Sequence, residues 1–336
     1  MFNTFQKTLR STIKISLIAL PMALLAPTFS YAKDTGYIFI SSEKDNSVAV
    51  LDGKTYKEVK KIETSDRPRH LAFNTDKSKI LAACGDGNSI DIIDIAKLKV
   101  TDKITDDIED PEAFDVSPDG KYLYISLEDD GALGVLDIAE KKMIKTIEVG
   151  EEPEGVLASL DGKTVFVTSE VANMVHVIDT STWKVSNNIK VGKRPRRFAL
   201  LASKNELWVT SELDASISII DLATNKVKDT IRFKPKGFRK EDVTPVGIAI
   251  TSNGKSAYVA LGRANHVAVV DTSNHEVKDF ILVGERVWNI ELNKDESLLF
   301  AVNGLSDDIS IIDTQKNKVI KSVAVGRVPY MAIIDD

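Results

Sequence analysis

A chain of 336 residues, 43% of them hydrophobic, can bury a sizeable core, and its net charge of −6 excludes the basic surface that nucleic-acid binding demands. The single cysteine, Cys84, excludes an internal disulfide, a haem-attachment pair and a thiolate zinc site. It falls in the apolar run Ile80 to Cys84, where a buried, inert thiol is expected.

At the N-terminus, Lys7, Arg10 and Lys14 form a positive start, followed by an apolar stretch from Ile15 to Ala26 that Pro21 interrupts. Ser30-Tyr31-Ala32 then puts small residues at the −3 and −1 positions of a cleavage site. This layout predicts a signal peptide over residues 1–32, cleaved after Ala32, and so a periplasmic or secreted protein. A retained anchor would need about 20 apolar residues, and no membrane span is expected after signal removal. Without Lys7, Arg10 and Lys14 the net charge of −6 becomes −9 for residues 33–336, which are expected to form one domain.

From Tyr37 onward one short string recurs seven times: alternating apolar positions ending in aspartate. The aspartates are Asp52, Asp94, Asp137, Asp179, Asp221, Asp271 and Asp313, with spacings of 42 or 43 except for one of 50. An apolar period of two argues for strands and against helices. The fourth repeat shows the unit: strands at Val156–Ala158, Val165–Thr168 and Val175–Ile178, and one within Trp183–Val191. Asp119-Gly120, Asp161-Gly162 and Asn253-Gly254 are expected to be tight hairpin turns with positive φ at both residues. The repeated aspartates are expected to bond the amides of the turn that follows each of them.

Four strands per repeat, seven times over, predict an all-β, seven-bladed β-propeller with four-stranded antiparallel blades. The chain starts on a second strand, Tyr37–Ile40, and ends on a first strand, Tyr330–Ile334. The C-terminal strand is therefore expected to complete blade one and close the ring.

The runs Val165-Phe166-Val167-Thr168 and Leu207-Trp208-Val209-Thr210-Ser211, the Val-Ile-Asp strand ends and the Val-Gly-x-x-Pro links resemble the YVTN-family β-propeller repeat. The links at Glu152–Gly155, Arg194–Ala199, Thr244–Gly247 and Arg286–Ile290 most resemble one subgroup. That subgroup is the periplasmic β-propeller protein associated with PQQ-dependent alcohol catabolism. The resemblance implies a setting, with a periplasmic PQQ dehydrogenase, cytochrome or transport component as partner, rather than a defined activity. No cofactor of the chain's own is expected.

In a propeller the links from fourth to first strands surround the mouth of the central channel. The residue after each link proline, or its equivalent, gives a ring of Tyr330, Arg69, Glu112, Glu154, Arg196, Val246 and Trp288. Arg69, His70, Glu112, Glu154, Arg196, Arg197, Trp288 and Tyr330 are thus the candidate ligand residues. Guanidinium groups suit a small anionic ligand and aromatic faces a flat body. The same charges could instead pair across blades and hold the channel shut. Glu128-Asp129-Asp130 offers oxygen atoms near Glu112, but its spacing matches no calcium loop, and no metal site is expected.

The one long spacing places about eight extra residues in Phe233–Asp242, a flap with the cations Lys234, Lys236, Arg239 and Lys240. Insertions in repeat arrays map to the functional face. No nucleophile elbow or histidine cluster occurs. The reading favoured is a non-catalytic binding propeller that engages an anionic ligand or a partner protein at the mouth. The alternatives are a lactonase-like hydrolase using His70, Glu112, Glu154 and Arg196, or a scaffolding propeller acting through its blade faces.

Overall fold

The computed structural model of the protein describes residues 34–336; the signal peptide expected over residues 1–32 lies outside the described residues. The strands form seven four-stranded antiparallel sheets. Six are assembled in chain order. The seventh, blade one, takes its innermost strand Pro329–Asp335 from the C-terminus and its next strand Tyr37–Ser42 from the start of the domain. The closing pair runs antiparallel, with Tyr37 opposite Asp335 and Ile40 opposite Ala332. The ring is therefore closed as the repeat phase predicts, and no blade is left with an unpaired first position. No helix among the described residues is long and apolar enough to cross a membrane.

Second and third strands carry most of the core. In blade five, Glu206–Ser211 and Ser216–Asp221 are buried almost throughout, and Trp208 is among the largest fully buried side chains. Fourth strands, such as Lys142–Glu148, expose one face and carry the charge. The apolar clusters lie between neighbouring blades. One joins Trp208, Ile217 and Ile219 of blade five to Ala257, Val259 and Val270 of blade six. A blade has two apolar faces, so its burial needs a neighbour on each side.

All seven terminal aspartates bond backbone amides of the following turn, from Asp52 with Thr55 N (2.7 Å) to Asp313 with Lys316 N (3.0 Å). The glycine turns differ from the sequence expectation. Only the glycine takes positive φ, as in Gly120, Gly162 and Gly254. Asp119 instead uses its carboxylate to accept from Ser117 Oγ (2.6 Å) and from Lys121 N (3.1 Å). Two residues in the left-handed region would close a two-residue hairpin; these turns are longer and need only one.

Every first strand but that of blade six carries an irregularity near its start, where the register to the second strand slips, as between Pro153 and Val156. A bulge re-aims side chains and leaves one N–H without a ladder partner. Both consequences shape the channel mouth.

A candidate site at the channel mouth

The mouth is built from the link residues and the first two residues after each proline. Arg67, Asp110, Glu152, Arg194 and Arg286 end the links in the left-handed conformation. A side-chain oxygen from the preceding blade holds four of them by their amides: Asn46 for Arg67, Asn88 for Asp110, Asn173 for Arg194 and Asn265 for Arg286, at 2.9 to 3.0 Å. The bulge that follows lets consecutive residues reach the same partner. Arg196 Nη2 lies 3.3 Å and Arg197 Nη2 2.9 Å from Oε1 of Glu154.

The bulge's spare N–H is met by a hydroxyl of the second strand. Gly155 N donates to Thr168 Oγ1 (2.7 Å), which in turn donates to the carbonyl of Arg196 in the next blade (3.1 Å). Ser126 links Ala113 N to the Glu154 carbonyl, Thr210 links Arg197 N to that of Val246, and Ser41 links Met331 N to that of Arg69. Four blades are thus clipped to their successors by one recurring hydroxyl. This is the physical role of the threonine in the Val-Thr strand endings.

The predicted site residues do converge, and they are committed to one another. Glu112, fully buried, receives N–H bonds from both Arg67 and Arg69. Glu154 accepts from Arg196, Arg197 and the Tyr330 hydroxyl (3.1 Å), and Arg197 also donates to that hydroxyl (2.6 Å). Burial alone would raise the Glu154 carboxyl, but Arg196, Arg197 and Arg69 outweigh it and hold the group well below the usual range. Arg196 continues to Glu170, and Arg286 reaches Glu212 at 2.8 Å. Trp288 and Tyr330 lie 5.7 Å apart, with Arg286 over the indole at 4.0 Å and Arg69 over the phenol at 4.2 Å. Val246, the sixth ring position, is simply buried.

Glu170, Glu212, Arg194 and Arg286 were not among the residues the ring rule selects. Their signal is positional: Glu128, Glu170 and Glu212 each follow the second strand directly, in successive blades. Glu128 approaches Asp110 and Glu112 closely enough for the three to share a cation. Arg67, however, already bonds Asp110 (2.8 Å) and Glu112, so that acidic charge is met from within the protein.

His70 stacks edge-on against Phe114 (4.8 Å) and finds no partner for Nδ1 among the described residues. It keeps some accessible surface yet is enclosed by protein, as befits a group lining a channel. Burial, followed by the nearby Arg197, lowers its pKa to about 3, so it is neutral at ordinary pH.

The flap is displaced from this network. Its turn is of type II, with Gly237 at φ 91° and Phe238 N bonding Pro235 O (3.3 Å). Phe233 and Val243 bury its two ends in the core between blades five and six. Lys240 pins it to Asp214 (2.6 Å), and Arg239 pairs with Asp242 (3.0 Å). Two of the four predicted flap cations are therefore spent internally. Among the described residues no hydrogen bond or ion pair joins the flap to Arg196 or Arg197. Arg232, Lys234 and Lys236 form no ion pair among the described residues. Arg232 and Lys234 border a cavity of about 290 Å³ with Ala215, Phe233, Phe238 and Val243, and the Lys240–Asp214 pair also lines it.

The YNCE-like beta-propeller family matches over residues 75–159, and the family described as Lactonase, 7-bladed beta-propeller, over residues 180–324. No curated protein matches the chain by sequence. Among solved structures, Kuenenia stuttgartiensis hydrazine synthase superposes with a TM-score of 0.74 at 20% identity, covering 83% of this chain and 93% of that one. The periplasmic gluconolactonase PpgL of Pseudomonas aeruginosa gives a TM-score of 0.74 at 17% identity, covering 88% and 98%. A functionally unknown protein from Desulfotomaculum acetoxidans DSM 771 gives 0.73 at 15% identity, covering 89% and 99%. At these identities the likeness is one of fold.

Proposed function

We propose that the protein is a non-catalytic binding propeller that takes an anionic ligand with an apolar body, an aromatic or aliphatic carboxylate, on its mouth face. One observation carries this reading. The mouth arginines are paired with glutamates, whereas Arg232 and Lys234 stand unpaired at a largely apolar cavity between the inserted flap and Ala215. An unpaired cation beside an apolar wall suits a carboxylate whose body is buried while its charge stays at the rim. The mouth network acts in this reading as the lock that closes the channel beneath. The resemblance of the repeats supports a periplasmic setting linked to PQQ-dependent alcohol catabolism, where PQQ and aromatic acids would be ligands of the right charge. A PQQ dehydrogenase, cytochrome or transport component would be the partner in that setting.

The test is calorimetry of the mature chain with PQQ and a series of aromatic carboxylates. Binding should weaken with added salt and fall roughly ten-fold in Arg232→Ala/Lys234→Ala, about the worth of one charge-assisted contact. Absence of binding throughout the series, or an unchanged affinity in the double variant, refutes the reading.

A second reading, a lactonase-like hydrolase, draws on the family match over residues 180–324. It would use neutral His70 as base and Arg196 or Arg197 to meet the developing oxyanion. Against it, Glu154 and Glu112 are saturated with arginine contacts, and His70 is held at a basicity too low for efficient proton abstraction. A lactone panel hydrolysed by the protein, and not by His70→Ala, would establish this alternative over the first.

A further inference from the structure

First strands all begin at the mouth and run the same way, so their last residues meet at the opposite end of the channel. There Leu157, Phe198, Leu200, Ile250 and Leu292 line an open cavity of about 440 Å³ together with Glu291, and Asn293, Lys294 and Glu296 also border it. Phe198 and Leu200 belong to the strand whose head, Arg196 and Arg197, carries the ionic network. Glu291 makes no hydrogen bond or ion pair among the described residues. The nearby charges are otherwise engaged: Lys294 Nζ pairs with Asp34 (3.2 Å), and Glu296 accepts from the amide of Ser252. The strand Ile248–Ile250 beside it carries no ionisable group, and Asp335 of the closing strand is held by Thr35 (2.8 Å). Burial, and then the like charge of Asp336, push the Glu291 carboxyl up to about 7.

Glu291 is half-buried, so its unpaired carboxylate stays open to the cavity beside the apolar side chains, where a bound cation can meet it. A metal ion would need several oxygen ligands, and one carboxylate is present. An anion would be repelled, and a neutral apolar molecule would desolvate the carboxylate further.

We propose that this lower opening binds an organic ammonium ion with an apolar body, its charge pairing with Glu291 and its body lying on Phe198, Leu200 and Ile250. The site is separate from the flap and of opposite sign, so it stands or falls independently of the carboxylate reading.

The experiment titrates the mature chain with hexylammonium chloride by calorimetry at about pH 8, where an acid of Glu291's character is ionised. Hexanoate and hexan-1-ol serve as comparators of the same length. Hexylammonium should bind, both comparators should bind roughly ten-fold more weakly, and Glu291→Gln should lose about the same factor for hexylammonium alone. The Arg232→Ala/Lys234→Ala protein should bind hexylammonium as wild type does. The carbon-13 resonance of the Glu291 carboxyl, followed in wild type, should shift on addition of hexylammonium; this reads the contact even if the Glu291→Gln chain does not fold. No binding of hexylammonium, equal binding of hexan-1-ol, undiminished binding to Glu291→Gln, or an unmoved carboxyl resonance would each overturn the proposal.

Discussion

At the level of single residues, the mouth is ordered by hydroxyls and carboxylates that serve two blades at once. Thr168 accepts the N–H that a bulge leaves over at Gly155 and donates across to Arg196 O. Thr168→Val keeps the shape and removes both bonds, leaving a buried donor and a buried acceptor unmet. The expected cost is about 1–3 kcal/mol by urea denaturation, and Thr168→Ser should recover most of it. Gly155 could not be larger for a related reason: a Cβ there would meet Arg196 O at 2.1 Å. The threonine is visible in the sequence as part of a motif, but its partner is a carbonyl 28 residues away in the next blade. Nothing local to the motif reveals that partner.

Among the strands and turns, the position four residues after each terminal aspartate takes the left-handed conformation in every blade, whatever residue fills it. Asn225 and Asn317 suit this position; Tyr56, Trp183 and Leu98 do not. The bulky residues lean on the preceding blade. Trp183 packs on Tyr122 (5.9 Å) and Tyr124 (6.1 Å), Tyr56 on Phe300 (6.5 Å), and His275 on Trp208 (5.5 Å). The strain of a left-handed tryptophan, about 1–2 kcal/mol, is offset by this contact between blades. Trp183→Gly removes both, and because loss of a half-buried aromatic costs less than the about 3–5 kcal/mol of a core one, a net destabilisation of about 2 kcal/mol is expected in urea. Asn225→Gly, which has little packing to lose, should be near neutral.

For the whole molecule, closure is the step that turns a row of blades into one domain. Beside the C-terminal strand, Asp45 of blade one clasps Arg327 (2.7 Å) and Lys61 (2.9 Å). These two cations lower its pKa to about 2. A carboxylate depressed in the folded state adds stability above its unfolded pKa, near 4, and loses it as pH falls through about 2. Solvent screening at this partly open site limits the effect to about 1 kcal/mol. Wild type should therefore be more stable than Asp45→Asn at pH 5, and the difference in thermal midpoint should vanish as the pH approaches 2. A gap that persists at low pH would assign the closing clasp to other contacts.

The repeat period, the strand alternation and the turn aspartates are local properties of the chain, and they were enough to determine the fold, the blade count and the strand that closes the ring. The convergence of Arg69, Glu112, Glu154, Arg196 and Tyr330 also followed from the repeat, since equivalent positions in a closed ring must face one axis. Whether those charges stay free or cancel was decided only in three dimensions. Side-chain reach across a bulge is set by distances of a few ångströms that no spacing encodes. The same holds for the flap, where Asp214 and Asp242 neutralise two of the predicted cations, and for Glu291, an unremarked acid in an apolar strand. It faces the lower cavity because seven first strands end together there.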